Sequence, residues 1–167
     1  LVLVFLFAAL RSFKQIVATF GTLIVGLTLT FAFAFLTIGQ LNLISVGFSV
    51  MFIGLAIDFG IQFGVRFGQE RFEHGEADAL GRTGRAMAKP LTLAAVAIAV
   101  GFASFIPTED RGVSELGLIA VAGMAITLVL NFTLLPALLT LLRPKTLPRE
   151  MGGAWAAPID SFLQRHR

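Results

Sequence analysis

Asp58 is the only acid in the apolar run 41–67, a stretch whose other residues mostly suit a lipid surrounding. Holding a charged side chain in hydrocarbon costs at least ~2.5 kcal/mol on insertion scales, so acids inside such segments face a bundle interior or a wet cavity and mark ion or proton pathways. The chemistry a lone carboxyl offers there is uptake and release of a proton. Desolvation disfavours its charged form, and the side of the membrane that the group faces then decides when it loads and when it discharges. The plainer alternative is a neutral carboxylic acid that hydrogen-bonds a neighbouring helix.

On a helix, Gly47, Met51, Gly54, Asp58, Gln62 and Val65 share one face. Gly47 and Gly54 leave room beside the carboxyl for another helix or a few waters, and Gln62, one turn on, is placed to donate to it. Gly60, Gly64 and Gly68 repeat every fourth residue on roughly the opposite face, a spacing that lets two helix backbones approach closely. The expectation is a span packed tightly on one side, carrying an acid on the other, in the middle of a bundle. Thr22, Gly26 and Thr30 align in the same way on an earlier run, and Gly123, Thr127 and Asn131 on a later one. Such stripes more often serve packing than proton transfer; Thr127 and Asn131 are kept as relay or packing neighbours, with Asn131 the stronger second candidate.

The elements that must position these residues are spanning helices. The chain has 167 residues, of which 56% are hydrophobic and 14% charged, and its mean hydropathy is +0.87; this composition belongs to an integral membrane protein. Seventeen Phe and seventeen Gly fit that class, while one Trp and no Tyr leave the aromatic belt thin. The absence of Cys excludes disulfides and thiolate metal sites.

Hydropathy divides the chain into an apolar stretch 1–10, spans at 16–38 and 41–67, a polar connection 69–89, and spans at 90–106 and 114–142, followed by a polar tail 143–167. The chain begins at Leu1 inside an apolar run without an initiator Met, so 1–10 reads as the end of a spanning helix and the whole as a piece of a longer protein. Pro90 suits the first turn of the helix it opens, where a missing N–H costs nothing. Asp110 or Ser114 is available to cap the helix after the turn 107–112.

Basic residues orient the spans. Arg11 and Lys14, then Arg66, Arg71, Arg82, Arg85 and Lys89, then Arg143, Lys145 and Arg149 fall at alternate connections, whereas the opposite ones hold only Arg111. Lys and Arg concentrate on the cytoplasmic side, which places 69–89 and the tail there. Within 69–89, Phe72, Ala79, Leu80 and Met87 recur at helical spacing among charged residues, predicting an amphipathic helix on the membrane surface. Glu70 and His74 stand four apart, but a solvated face explains them better than a metal, and neither metal nor cofactor is expected. No basic patch with interleaved aromatics points to nucleic acid. No nucleotide-binding loop or Ser-His-Asp arrangement is present, so the energy source in view is an ion gradient, at ~2.3 kcal/mol per proton per 100 mV.

The stretch GLAIDFGIQFGVRFGQE, 54–70, resembles the fourth transmembrane helix of resistance-nodulation-division (RND) transporters, in which a glycine-rich helix carries an acid and ends in a basic-acidic run. The segment from Lys89 to Pro144 is similar to the fifth and sixth helices of that superfamily. The nearest likeness is to its large-membrane-protein (MMPL) branch, and LNLISVGF, RGVSELGL and AAPIDSFLQRHR look most like hopanoid-associated members. The resemblance implies an all-α polytopic bundle, part of the first half of a twelve-span transporter of the bacterial inner membrane. It further implies proton-driven export of hopanoid-like lipid, a second half that completes the machine, a homo-oligomer, and Asp58 as the first-half proton carrier. Two departures stand out: many relatives follow the acid with Tyr where this chain has Phe59, and a second matching acid is missing.

Three other readings compete. A protein-export accessory subunit of the superfamily shares the acid and the basic-acidic run, though not the extended hopanoid-type match. A sterol-sensing-like module would bind lipid without ion dependence. An intramembrane aspartyl protease needs two apposed acids, and the spans hold one.

Overall fold

In lipid each backbone N–H and C=O must find its partner within its own segment, so long apolar runs fold as helices. The computed structural model describes residues 13–39 and 43–142; the expected helix end at 1–10 and the tail 143–167 lie outside them. The described chain forms α1 (Phe13–Ile38), α2 (Leu43–His74), α3 (Glu76–Ala103), α4 (Arg111–Phe132) and α5 (Leu134–Leu142), with no strand among the described residues. Four segments are long and apolar enough to cross a membrane: Phe13–Ile38, Met51–Glu73, Asp78–Ala103 and Arg111–Leu142.

Local chemistry explains where the helices stop. Gly39 adopts φ 79° and donates its N–H to Phe35 O at 3.0 Å, closing the last turn of α1 in the left-handed conformation that glycine reaches without strain. Gly75, at φ 84° and ψ 176°, separates α2 from α3. Asp110 caps α4, its side chain accepting from the Val113 N–H at 2.9 Å. Thr133, at φ −118° and ψ −66°, ends α4, where Pro136 has no N–H to offer the carbonyl of Phe132; the Thr133 hydroxyl donates to Val129 O at 2.7 Å.

Several boundaries differ from those read in the sequence: the span expected at 114–142 starts at Arg111 and is divided at Thr133 into α4 and α5. Residues 69–89 do not form a helix of their own: Gly75 divides them between the end of α2 and the start of α3. Pro90 does not open a helix but lies inside α3, where its ring removes one hydrogen bond without ending the element. A fall in hydropathy marks where a helix leaves the apolar layer, and a helix need not break there.

Two apolar clusters hold the bundle. Ile16, Leu23 and Ala34 of α1 meet Phe52, Ala56 and Ile57 of α2 and Ile119 and Ala120 of α4. Phe59, Phe63 and Phe67 of α2 meet Ala79, Leu91 and Ala95 of α3, Met124 of α4, and Leu135 and Leu139 of α5, with Phe63 and Phe132 edge to face at 6.2 Å. Helix α2 thus packs on α1, α3 and α4 at once. Helix α3 is peripheral, with Leu93, Val96 and Val100 exposed.

Threonine would be costly in these spans if its hydroxyl went unbonded. Thr19, Thr22, Thr28 and Thr30 donate to the carbonyls of Gln15, Ala18, Ile24 and Gly26 one turn back, at 2.8–3.1 Å. The hydroxyl is then satisfied within the helix, and the side chain can face lipid or a neighbouring helix alike.

Candidate functional site

The two glycine stripes of α2 behave differently. Gly60 and Gly64 are buried and Gly68 is half-buried, so this face is turned inward. A β-carbon at Gly60 would fall 2.4 Å from Cγ2 of Thr19, so the glycine is what admits α1 at this crossing. On the opposite face Gly47, Met51, Gly54, Asp58 and Gln62 are all exposed, and a β-carbon added at Gly47 or Gly54 would meet nothing within 4 Å.

Asp58 sits between two buried neighbours, Ile57 and Phe59, which anchor α2 on either side of it. Its own side chain points away from the helices described here and makes no hydrogen bond or ion pair among the described residues. The expected donation from Gln62 is not made: both side chains lie on the open face, one turn apart. Among the described residues, then, nothing encloses the acid, whereas the expectation placed it in the middle of a bundle. The face it occupies is nevertheless the small, polar one that its spacing indicated.

The other two stripes come together. Thr22, Gly26 and Thr30 of α1 face Gly123, Thr127 and Asn131 of α4. A β-carbon at Gly123 would lie 3.1 Å from Thr30 Cγ2 and 2.8 Å from Phe52 Cε2, and one at Gly26 3.3 Å from Leu130 Cδ1. Between them lies a cavity of about 10 Å³, lined by Thr22, Leu23, Gly26, Ala56, Thr127, Leu130 and Asn131. Thr127 and Asn131 are thus buried, and Ala56 is the α2 residue that faces them. Asp58 is two residues further on, about 200° around the helix. The sequence grouped these polar residues as possible neighbours of the acid; the fold puts them on the other side of α2.

One polar pair was not singled out from the sequence. Glu70 is buried near the end of α2, and its Oε1 accepts from the guanidinium of Arg66 one turn earlier. Their four-residue spacing was the available signal. No cluster of His, Cys, Asp and Glu that could hold a metal occurs among the described residues.

Spanning helices packed through glycines and threonines, one of them bearing a mid-span acid on a small-residue face that the described residues leave open, define a polytopic membrane bundle. The sequence comparisons identify its family. The MMPL family matches residues 1–161, and the chain belongs to that family. It is similar to the Hopanoid transporter HpnN of Burkholderia multivorans, 49% identical over 167 residues, a match covering 99% of this chain and 19% of that protein. The Hopanoid transporter HpnN of Rhodopseudomonas palustris is 46% identical over the same length, with the same coverage. The chain thus spans about one fifth of the length of the relatives it matches. Together with its four membrane-crossing segments, this makes it part of a multi-pass protein of the bacterial inner membrane.

Proposed function

We propose that this chain is the acid-bearing part of a proton-driven exporter that moves hydrophobic lipids of the hopanoid class from the inner membrane toward the periplasm. The observation that carries the reading is the open face of α2: Asp58 stands mid-helix, exposed among Gly47, Met51, Gly54 and Gln62, on an element whose other faces are packed. A carboxyl turned to acyl chains at that depth is costly. The remainder of the longer protein therefore covers this face, and Asp58 takes up and releases protons in the crevice between the two. The names of the relatives support a hopanoid-like substrate. The work is transport across or out of the bilayer, not catalysis, and the protein acts as a homo-oligomer.

The orientation follows from charge. Among the described residues, Lys14 at the start of α1, and Arg66, Arg71, Arg82, Arg85 and Lys89 around the Gly75 break, lie toward one end of the bundle, and only Arg111 lies at the other; the basic end is cytoplasmic. The polar first half of α3 then rises from the cytoplasm and enters the apolar layer near Pro90.

The test is Asp58→Asn in the full-length protein, expressed in a hopanoid-producing strain whose own transporter is deleted. Loss of outer-membrane hopanoid with unchanged protein in the inner membrane is expected, and normal hopanoid delivery by the variant would refute the proton role.

A further inference from the structure

The cavity between α1, α2 and α4 has features that helix packing alone does not explain. Each of the other fully helical threonines buried in the structure (Thr19, Thr22, Thr30 and Thr83) closes its hydroxyl onto the carbonyl four residues back, at 2.7–3.1 Å. Thr127 does not. Its Oγ1 is buried without a hydrogen-bond partner among the described residues, and so is Oδ1 of Asn131. Both residues line the cavity, and Asn131 is 1% exposed and Thr127 4%. The orientation of the Asn131 amide follows from its neighbour: Thr127 O can only accept, so the group 2.9 Å from it is Nδ2 and the free atom is the carbonyl oxygen. Thr22 contributes a third group. Its hydroxyl hydrogen is committed to Ala18 O, so its oxygen can only accept.

The lining therefore offers two acceptors, Asn131 Oδ1 and Thr22 Oγ1, and one hydroxyl, Thr127, free to donate. One molecule complements that set: a water that accepts from Thr127 and donates to the other two. Leaving a buried polar atom unpaired costs ~1–3 kcal/mol, and buried waters typically make ~3 hydrogen bonds to groups of this kind. Size points the same way. A cavity of about 10 Å³ is on the scale of a single water and excludes a lipid or any larger solute. A bare cation fits poorly, since every lining residue is neutral and nothing would offset its desolvation.

We infer that Thr22, Thr127 and Asn131 bind one ordered water that bridges α1 to α4 inside the apolar layer. This water is structural and stands apart from the proton path, because Ala56 faces it whereas Asp58 lies on the opposite side of α2. The inference rests on the packing of this chain and holds whether or not the transport reading does.

The full-length protein in lipid nanodiscs tests it in two ways. X-ray radiolytic footprinting generates hydroxyl radicals from bound water in place, so Leu23, which lines the cavity, should be oxidised well above Leu135 and Leu139 in the dry core. That excess should be lost in the T127V/N131L variant. A density map that resolves the Asn131 amide should show a peak within hydrogen-bond reach of Thr127 and Asn131. Equal labelling of Leu23 and the core leucines, or resolved side chains with no peak between them, would overturn the inference.

Discussion

At Gly60 the absence of a side chain decides how closely two helices meet. Thr19 cannot move aside easily, because its hydroxyl is held by Gln15 O at 3.1 Å and β-branching stiffens its χ1. With a β-carbon only 2.4 Å from its methyl, Gly60→Ala should destabilise the bundle by about 1–3 kcal/mol, the usual range for overpacking. A lowered unfolding temperature of the purified full-length variant would show it. Gly54→Ala, on the open face, meets nothing within 4 Å, so it should leave the unfolding temperature of the full-length variant unchanged, and any effect it has reports on what lies beyond the described residues. The two stripes were legible in sequence because the period of 3.6 sorts residues by face without knowledge of the neighbours. What covers Asp58 was not legible, because that depends on elements beyond these helices. Nor could spacing alone assign Thr127 and Asn131 to the side of α2 away from the acid; that needed the register of α1 on α4.

Element boundaries obey backbone chemistry more closely than hydropathy. Gly75 combines φ 84° with ψ 176°, a region in which a β-carbon is strained, so Gly75→Ala should cost about 1–3 kcal/mol at the α2–α3 break, read as earlier thermal unfolding. Removing the cap with Asp110→Ala should cost about 1 kcal/mol at the start of α4, visible as faster amide exchange in its first turn. Asp110 was one of two caps the sequence offered, and the structure selects it. The polar run 69–89 was harder to read. Its composition changes near Pro90, and a change of solvent there resembles a change of element. Helix α3 continues because its backbone bonds close on either side of the proline, and only Gly75, with its positive φ, interrupts the path.

Among the described residues α2 is the hub, with apolar side chains on α1, α3 and α4 and one face left open. That arrangement suits a core helix of a larger assembly, in keeping with relatives of which this chain spans 19%. The charge pattern predicts a definite topology. The chain contains no Cys, so single cysteines introduced at Glu73 and at Thr108 give clean reporters in a cysteine-free full-length background. A membrane-impermeant thiol reagent added outside inner-membrane-exposed spheroplasts should label position 108 and spare position 73. The membrane class and four of the spans were accessible from composition and hydropathy, while the helix end expected at 1–10 lies outside the described residues.

The central claim is that Asp58 carries the proton that drives lipid export, and purified full-length protein reconstituted in liposomes with an imposed pH gradient and a pH-sensitive dye measures it most directly. Wild-type protein supplied with hopanoid is expected to dissipate the gradient, and D58N protein inserted to the same level is expected to hold it as well as protein-free liposomes do. Proton flux through D58N at the wild-type rate would contradict the account.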